Sequence, residues 1–189
     1  MVRLALVGCG QIAVSHGRAI EATEGAVLTW CQDVDPARAE AQAQRHDGAR
    51  ATVAFDDVLS AQDVDAVVLC LPHHLHEPFT VRAAAAGKHI LVEKPMALDA
   101  TEAERMIAAA DDAGVTLSVG QSTRCMSGFL RARRLLAEGA IGVLRHVLHQ
   151  RVFYIDRLST DWRRVESECG GLYLPLFGSH DVDAVLWLM

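Results

Sequence analysis

The chain has 189 residues, 51% of them hydrophobic and 22% charged, with a formal net charge of -6. This composition excludes an intrinsically disordered chain, and the length allows one well-filled core but is short for two complete domains. No apolar run approaches the roughly 18 to 20 residues of a membrane span, and the acidic balance, relieved only by a local cluster at Arg131, Arg133 and Arg134, argues against nucleic acid as a partner.

Short apolar runs alternate with longer amphipathic ones. Leu4 to Val7 reads as a buried strand that leads straight into a glycine turn, too short a run for a secretory signal. Gln11 to Ala22 reads as a helix and Ala26 to Cys31 as a strand. Pro36 to Arg45 reads as a helix with Asp35 as N-cap and Pro36 at the first helical position. Ala51 to Phe55 is expected as a short strand, Ala66 to Leu71 as a continuous one, and Pro78 to Ala86 as a helix stopped by Gly87. His89 to Val92 is a strand. Asp99 and Glu102 are placed as a capping box for a helix running to Ala113 and ending at Gly114. Val115 to Val119 is a further strand.

Strands alternating with helices of this length predict an α/β fold, a Rossmann-type doubly wound parallel sheet. Their near-continuous apolar character fits burial on both faces. The pattern changes after Gly120. Phe129 to Ala137 reads as a helix stopped by Gly139, and Val143 to Tyr154 as a long, roughly alternating strand. A polar stretch, Gly170-Gly171 and an apolar C-terminal run follow. The expected division is a dinucleotide-binding domain over 1–122 and a partial, incomplete α+β second domain over 123–189. The five cysteines are Cys9, Cys31, Cys70, Cys125 and Cys169. They are odd in number and never in a C-x-x-C pair, which fits a reduced cytoplasmic protein better than a disulfide scaffold or a zinc site.

The first strand runs into Gly8-Cys9-Gly10-Gln11-Ile12-Ala13, a G-x-G-x-x-A form of the dinucleotide fingerprint. Gly8 allows the tight turn, Gly10 admits a pyrophosphate to the backbone, and Ala13 lets helix and sheet pack closely. The free N–H groups of Gln11 and Ile12 at the helix start would face the phosphates. Asp33 lies 20 residues beyond Ala13, near the separation expected of a ribose-binding carboxylate, about 20 residues. It would accept both adenosine ribose hydroxyls and repel a 2′-phosphate, and Val34 supplies no countercharge. NAD is therefore favoured, with NADP as the alternative.

Val92-Glu93-Lys94-Pro95 follows a strand. With the glycine turn, with Leu71-Pro72-His73-His74-Leu75-His76 and with Gly87 to Pro95, the chain resembles the Gfo/Idh/MocA family, relatives of glucose-fructose oxidoreductase and inositol dehydrogenase. Gly139-Ala140-Ile141-Gly142 resembles the start of the family's second domain. Asp161-Trp162-Arg163, Gly170-Gly171 and Gly178-Ser179-His180 with Asp183 resemble its substrate-side motif. The resemblance implies hydride transfer between a nicotinamide cofactor and a sugar- or polyol-like substrate. It places Leu71, Pro72, His73, His76 and Glu93 near the cofactor. It gives Lys94 both the nicotinamide ribose and the polarisation of the reacting oxygen, gives His180 the proton, and implies a cis bond before Pro95. Without these companions, Glu93-Lys94 would read as an exposed ion pair.

The pattern departs from active relatives at Leu176, where an aspartate commonly stands four residues before the histidine. Leucine cannot orient an imidazole, and general acid–base groups are worth about 10² to 10⁴ in rate. Cys125 stands where an aromatic often follows Arg124, and Leu172 and Tyr173 replace small residues. A catalytically impaired nucleotide- or partner-binding relative is therefore the alternative reading. The family's second domain would also need many more residues, so a truncated chain, a homo-oligomer or a completing chain is expected. His73, His74 and His76 lack ligand spacing, so no metal is expected. His16 reads as a packing or solvent-facing residue, and His146 and His149 as residues on opposite faces of the late strand.

Overall fold

A computed structural model describes residues 1–152, 154, 156, 158, 160–171 and 173–189. The chain divides into two units, Met1–Val119 and Gly120–Met189. The first unit carries six strands: β1 (Val2–Val7), β2 (Ala26–Gln32), β3 (Arg50–Thr52), β4 (Ala66–Leu69), β5 (His89–Val92) and β6 (Leu117–Val119). All pairs are parallel, in the order β3-β2-β1-β4-β5-β6. That order reverses direction between β1 and β4, where a doubly wound sheet opens a crevice at the carboxyl ends of its strands.

The five helices of this unit are α1 (Gln11–Glu21), α2 (Pro36–Ala43), α3 (Phe55–Ser60), α4 (His76–Ala85) and α5 (Ala100–Ala113). Side chains alternate across the sheet, so successive residues of β1 enter two different cores. Ala5 and Val7 pack with Val67, Leu69, Ile90, Val92 and with Met106 of α5. Leu6 packs on the other face with Ala13 and Ile20 of α1, Leu28, Cys31 and Val68. Because helices cover both faces, these strands carry no polar alternation.

The capping signals act as expected, with one adjustment. The Asp35 carboxylate accepts from the Ala37 amide at 2.9 Å. Asp99 Oδ1 accepts from the Glu102 amide at 2.8 Å, whereas Glu102 Oε2 returns to the Leu98 amide, one residue before the cap, at 3.0 Å. Gly114 closes α5 in the left-handed conformation. Two expectations at element ends change. Phe55 begins α3 rather than ending a strand, because Phe55 and Val58, one helical turn apart, are both buried, and Asp56 and Asp57 occupy the favourable first turn. Helix α4 starts at His76, before Pro78, because a proline within the first turn removes no intrahelical bond.

The second unit contains α6 (Ser127–Ala137), the short α7 (Glu166–Cys169), a π-helical turn over Leu174–Gly178 and α8 (Ser179–Leu188). Arg133 of α6 donates to the Trp187 carbonyl and lies 4.6 Å over its ring. The expected strand from Val143 to Tyr154 is corrected. Phe153 lies outside the described residues, and the described ones form no strand. A strand needs a partner backbone, and among the described residues no strand pairs with this segment. Its Val143, Leu148, Val152 and Tyr154 side chains are exposed. No helix of the described residues is long and apolar enough to cross a membrane.

Loss of the α5 cap gives a stability test. Asp99→Ala is expected to destabilise the protein by about 1 kcal/mol, read as a lower urea midpoint. An unchanged midpoint would show that the cap contributes nothing.

Candidate functional site

The chain leaves β1 through Gly8, whose φ of +86° belongs to glycine; a Cβ there would lie 2.5 Å from the Cys70 carbonyl oxygen. Gly10 is the N-cap of α1, with no side-chain cap and no acidic residue in the first turn of the helix. A Cβ added at Gly10 would meet nothing within 4 Å. The start of α1, with Gln11 and Ile12 at the surface, is therefore bare backbone carrying the positive end of a helix. Ala13 is fully buried beneath it. Orphan amides beside open space fit a diphosphate.

Asp33 follows β2 and is 8% exposed. Its Oδ2 accepts from the Cys9 amide of the glycine turn at 2.7 Å, and its Oδ1 from the Asp35 amide at 2.9 Å. A carboxylate has about four acceptor sites, so two amides fix it and leave capacity for ribose hydroxyls. Cys9 itself is buried. A hydrogen bond with Cys31, burial and the nearby Asp33 charge hold its thiol far above the usual range.

Leu71 and Pro72 leave β4 toward a short 3-10 turn over His73–Leu75. His73 is buried and His76 is fully buried. His76 Nδ1 lies 2.8 Å from the Pro95 carbonyl oxygen, and Nε2 lies 3.0 Å from that of Leu71. Burial outweighs these acceptors and holds its pKa below the usual histidine value. A neutral ring donates from one nitrogen at a time. His76 thus joins the two loops through the Leu71 and Pro95 carbonyls.

Glu93 and Lys94 continue from β5, and the Lys94–Pro95 peptide is cis, as the resemblance implies. His16, on α1, donates from Nε2 to Glu93 Oε1 at 2.8 Å. Glu93 Oε2 accepts the Lys94 amide at 3.1 Å. Burial pushes the Glu93 carboxyl up, but the His16 hydrogen bond and charge, with the Lys94 amide and ammonium, bring it below the usual range. Glu93 is an internal anion that ties α1 to the turn carrying Lys94. The sequence reading assigned His16 to packing or solvent; its signal was the spacing of three residues from Ala13, which puts both on the inward side of α1.

In the second unit, His180 is the second residue of α8. Its Nδ1 donates to Gln121 Oε1 at 3.0 Å, a partner the sequence reading did not find. Leu176, in the π-helical turn, is 4% exposed. Asp183 accepts from Arg124 Nε at 2.8 Å. Asp181 accepts from His149 at 3.0 Å, Arg151 at 2.8 Å and the Tyr173 hydroxyl at 3.2 Å. Leu172 lies outside the described residues. The structure places the glycine turn, Asp33, the Leu71 to His76 segment, Glu93 and Lys94 in the first unit, and His180 in the second.

Residues 2–121 match the Gfo/Idh/MocA description "oxidoreductase family, NAD-binding Rossmann fold", and residues 129–189 match the C-terminal domain of the same family. The chain belongs to the Gfo/Idh/MocA family. The 1,5-anhydro-D-fructose reductase of Ensifer adhaerens is 31% identical over 192 residues, covering 100% of this chain and 57% of that protein. The inositol 2-dehydrogenase of Rhizobium meliloti is 35% identical over 146 residues, covering 77% of this chain and 44% of that protein. Among solved structures, GenD2 from gentamicin A biosynthesis, in complex with NAD, has a TM-score of 0.86 and 29% identity, covering 99% of this chain and 53% of that one. The chain spans about half the length of the curated relatives it matches. The expected Rossmann-type sheet and the family's NAD-binding character both stand.

The two glycines of the turn separate packing from binding. Gly8→Ala is expected to cost about 1–3 kcal/mol from its positive φ alone, with the Cys70 carbonyl adding to that. Gly10→Ala is expected to stay within about 1 kcal/mol of the parent while weakening nucleotide affinity. Thermal melts and calorimetric titration with NAD read the two effects, and equal destabilisation by both would refute the cradle.

The Glu93 carboxyl gives a pH test. Its folded pKa is lowered, so its contribution is complete above the ordinary glutamate value of about 4.3 and is lost as pH falls through the folded value. Glu93→Gln should remove that acid-side component, seen as a shallower loss of melting temperature below about pH 4.5. An identical acid profile in the variant would show that the pair with His16 is not formed.

Proposed function

We propose that this chain binds NAD, with NADP the alternative, and belongs to an oxidoreductase acting on the carbinol or carbonyl carbon of a sugar- or polyol-like substrate. The observation that carries the reading is the His16–Glu93 hydrogen bond of 2.8 Å. It ties the helix suited to a diphosphate to the turn that presents Lys94. The names of the relatives, a reductase of an anhydro sugar and a dehydrogenase of a polyol, support the substrate class.

The start of α1 would bind the diphosphate through its amides, and Asp33 the adenosine ribose. A carboxylate side chain at Asp33 disfavours a 2′-phosphate, and Val34, which is exposed, offers no positive charge. Leu71, Pro72, His73 and Glu93 would line the cofactor side, with His76 supporting them from behind. When bound, the nicotinamide supplies the acceptor or donor of hydride.

Lys94 would hold the substrate oxygen, its ammonium favouring negative charge there as the O–H bond breaks. His180 would take that proton in oxidation and return it in reduction. Exposed Val143, Leu148 and Val152 are apolar surface for a second copy or a completing chain. A second reading, nucleotide binding without turnover, is favoured by the buried Leu176 at the position of the family's common aspartate.

The test is hydride transfer with a panel of polyols and sugars, followed by absorbance of the reduced nicotinamide. Lys94→Ala is expected to lower turnover by about 10² to 10⁴. Unchanged turnover removes Lys94 from the reaction, and calorimetric NAD binding with no turnover by the parent selects the second reading.

A further inference from the structure

We propose that Gln121 is the positioning residue for His180, setting its tautomer through the hydrogen bond between Gln121 Oε1 and His180 Nδ1. The proposal rests on the proton-transfer role given to His180 above. Gln121 directly follows Gly120, and its Oε1 lies 3.0 Å from His180 Nδ1. An amide oxygen only accepts, so Nδ1 carries the proton and Nε2 carries the lone pair of the neutral ring. That is the assignment a general base needs when Nε2 is to receive the proton, and it is the service an orienting carboxylate performs for other histidines.

Among the described residues, the two carboxylates of α8 have partners of their own. Asp183, one turn along α8, is bound by both Arg124 Nε at 2.8 Å and the second Arg124 nitrogen at 2.5 Å. Asp181, adjacent to His180, is held by His149, Arg151 and Tyr173. Each acid thus has an arginine partner that balances its charge. Leu176 is 4% exposed and apolar, so it holds the helix start by packing. Gln121 therefore supplies His180 with an acceptor of no net charge.

The neutral acceptor has a chemical consequence. A carboxylate stabilises the imidazolium by its charge and raises the histidine pKa, whereas an amide orients the ring with a weaker effect on that equilibrium. An amide partner therefore gives His180 orientation without the added negative charge of a carboxylate.

The experiment uses the full chain and the variants Gln121→Leu and Gln121→Glu. Nitrogen-15 NMR of the histidines, assigned with His180→Asn, reads the tautomer directly. The expected result is an Nδ1–H ring in the parent, an Nδ1–H ring with its titration midpoint raised by about one pH unit in Gln121→Glu, and a loss of that single tautomer in Gln121→Leu. A parent ring protonated at Nε2, or a Gln121→Leu spectrum identical to the parent, overturns the proposal. Where turnover is measurable, Gln121→Leu should lower kcat by 10-fold or more with NAD affinity unchanged, and Gln121→Glu should move the acid limb of kcat/KM to higher pH. A parent that shows the expected tautomer but no turnover sinks the oxidoreductase reading and leaves the positioning by Gln121 standing. Thermal melts confirm that the variants are folded. A variant with a correct melt, a correct tautomer and unaltered pH dependence counts against the proposal.

Discussion

The Gly8 backbone lies so close to the Cys70 carbonyl that a Cβ would come within 2.5 Å of the oxygen. That approach is a consequence of β1 and β4 being neighbours in a sheet whose order reverses between them. It forces a glycine at the first position of the turn, after which Gly10 caps α1 with no side-chain hydrogen bond to the first amides of the helix. Cys70 belongs to the segment that leads into Leu71 and Pro72. One steric contact thus sets the start of α1 and the neighbouring loop against each other, and the remaining polar features of the first unit are built on that frame.

Three charged or titratable side chains then convert the frame into a polar site. Asp33 closes one side by accepting from the Cys9 amide. Glu93 closes the other by accepting from His16 and from the Lys94 amide. His76 works from beneath, between the Leu71 and Pro95 carbonyls. Each of these groups is buried or half-buried, where hydrogen bonds to an ion or a dipole are stronger than at the surface and an unpaired one costs more. The turn that carries Lys94 has its backbone amide held by the Glu93 carboxylate.

The second unit shows different physics. Arginine–carboxylate pairs, Arg124 with Asp183 and Arg151 with Asp181, surround the first turn of α8. The amphipathic α6 exposes Leu130 and has no buried residue. The segment from Val143 onward carries strand-like alternation without a strand partner among the described residues. Its period is a property of the residues, whereas a strand is a property of two backbones together. That difference is why the sequence reading of this region and its structure part company.

Much of the first unit was legible from its residues. The apolar runs, the Asp35 and Asp99 caps, the Gly87 and Gly114 stops and the glycine turn are all local signals, and local hydrogen bonding or φ preference is enough to produce them. The short α3 was missed because six residues carry too little periodicity to separate helix from strand. His16 and Gln121 were missed for another reason: their partners lie 77 and 59 residues away. By itself the sequence determined most helices and strands of the first unit, where the glycine turn lies and which side chains could carry charge or a proton. Only the tertiary structure decided which acceptors His16 and His180 meet, because a side-chain hydrogen bond between distant segments exists only after folding has brought them within about 3 Å.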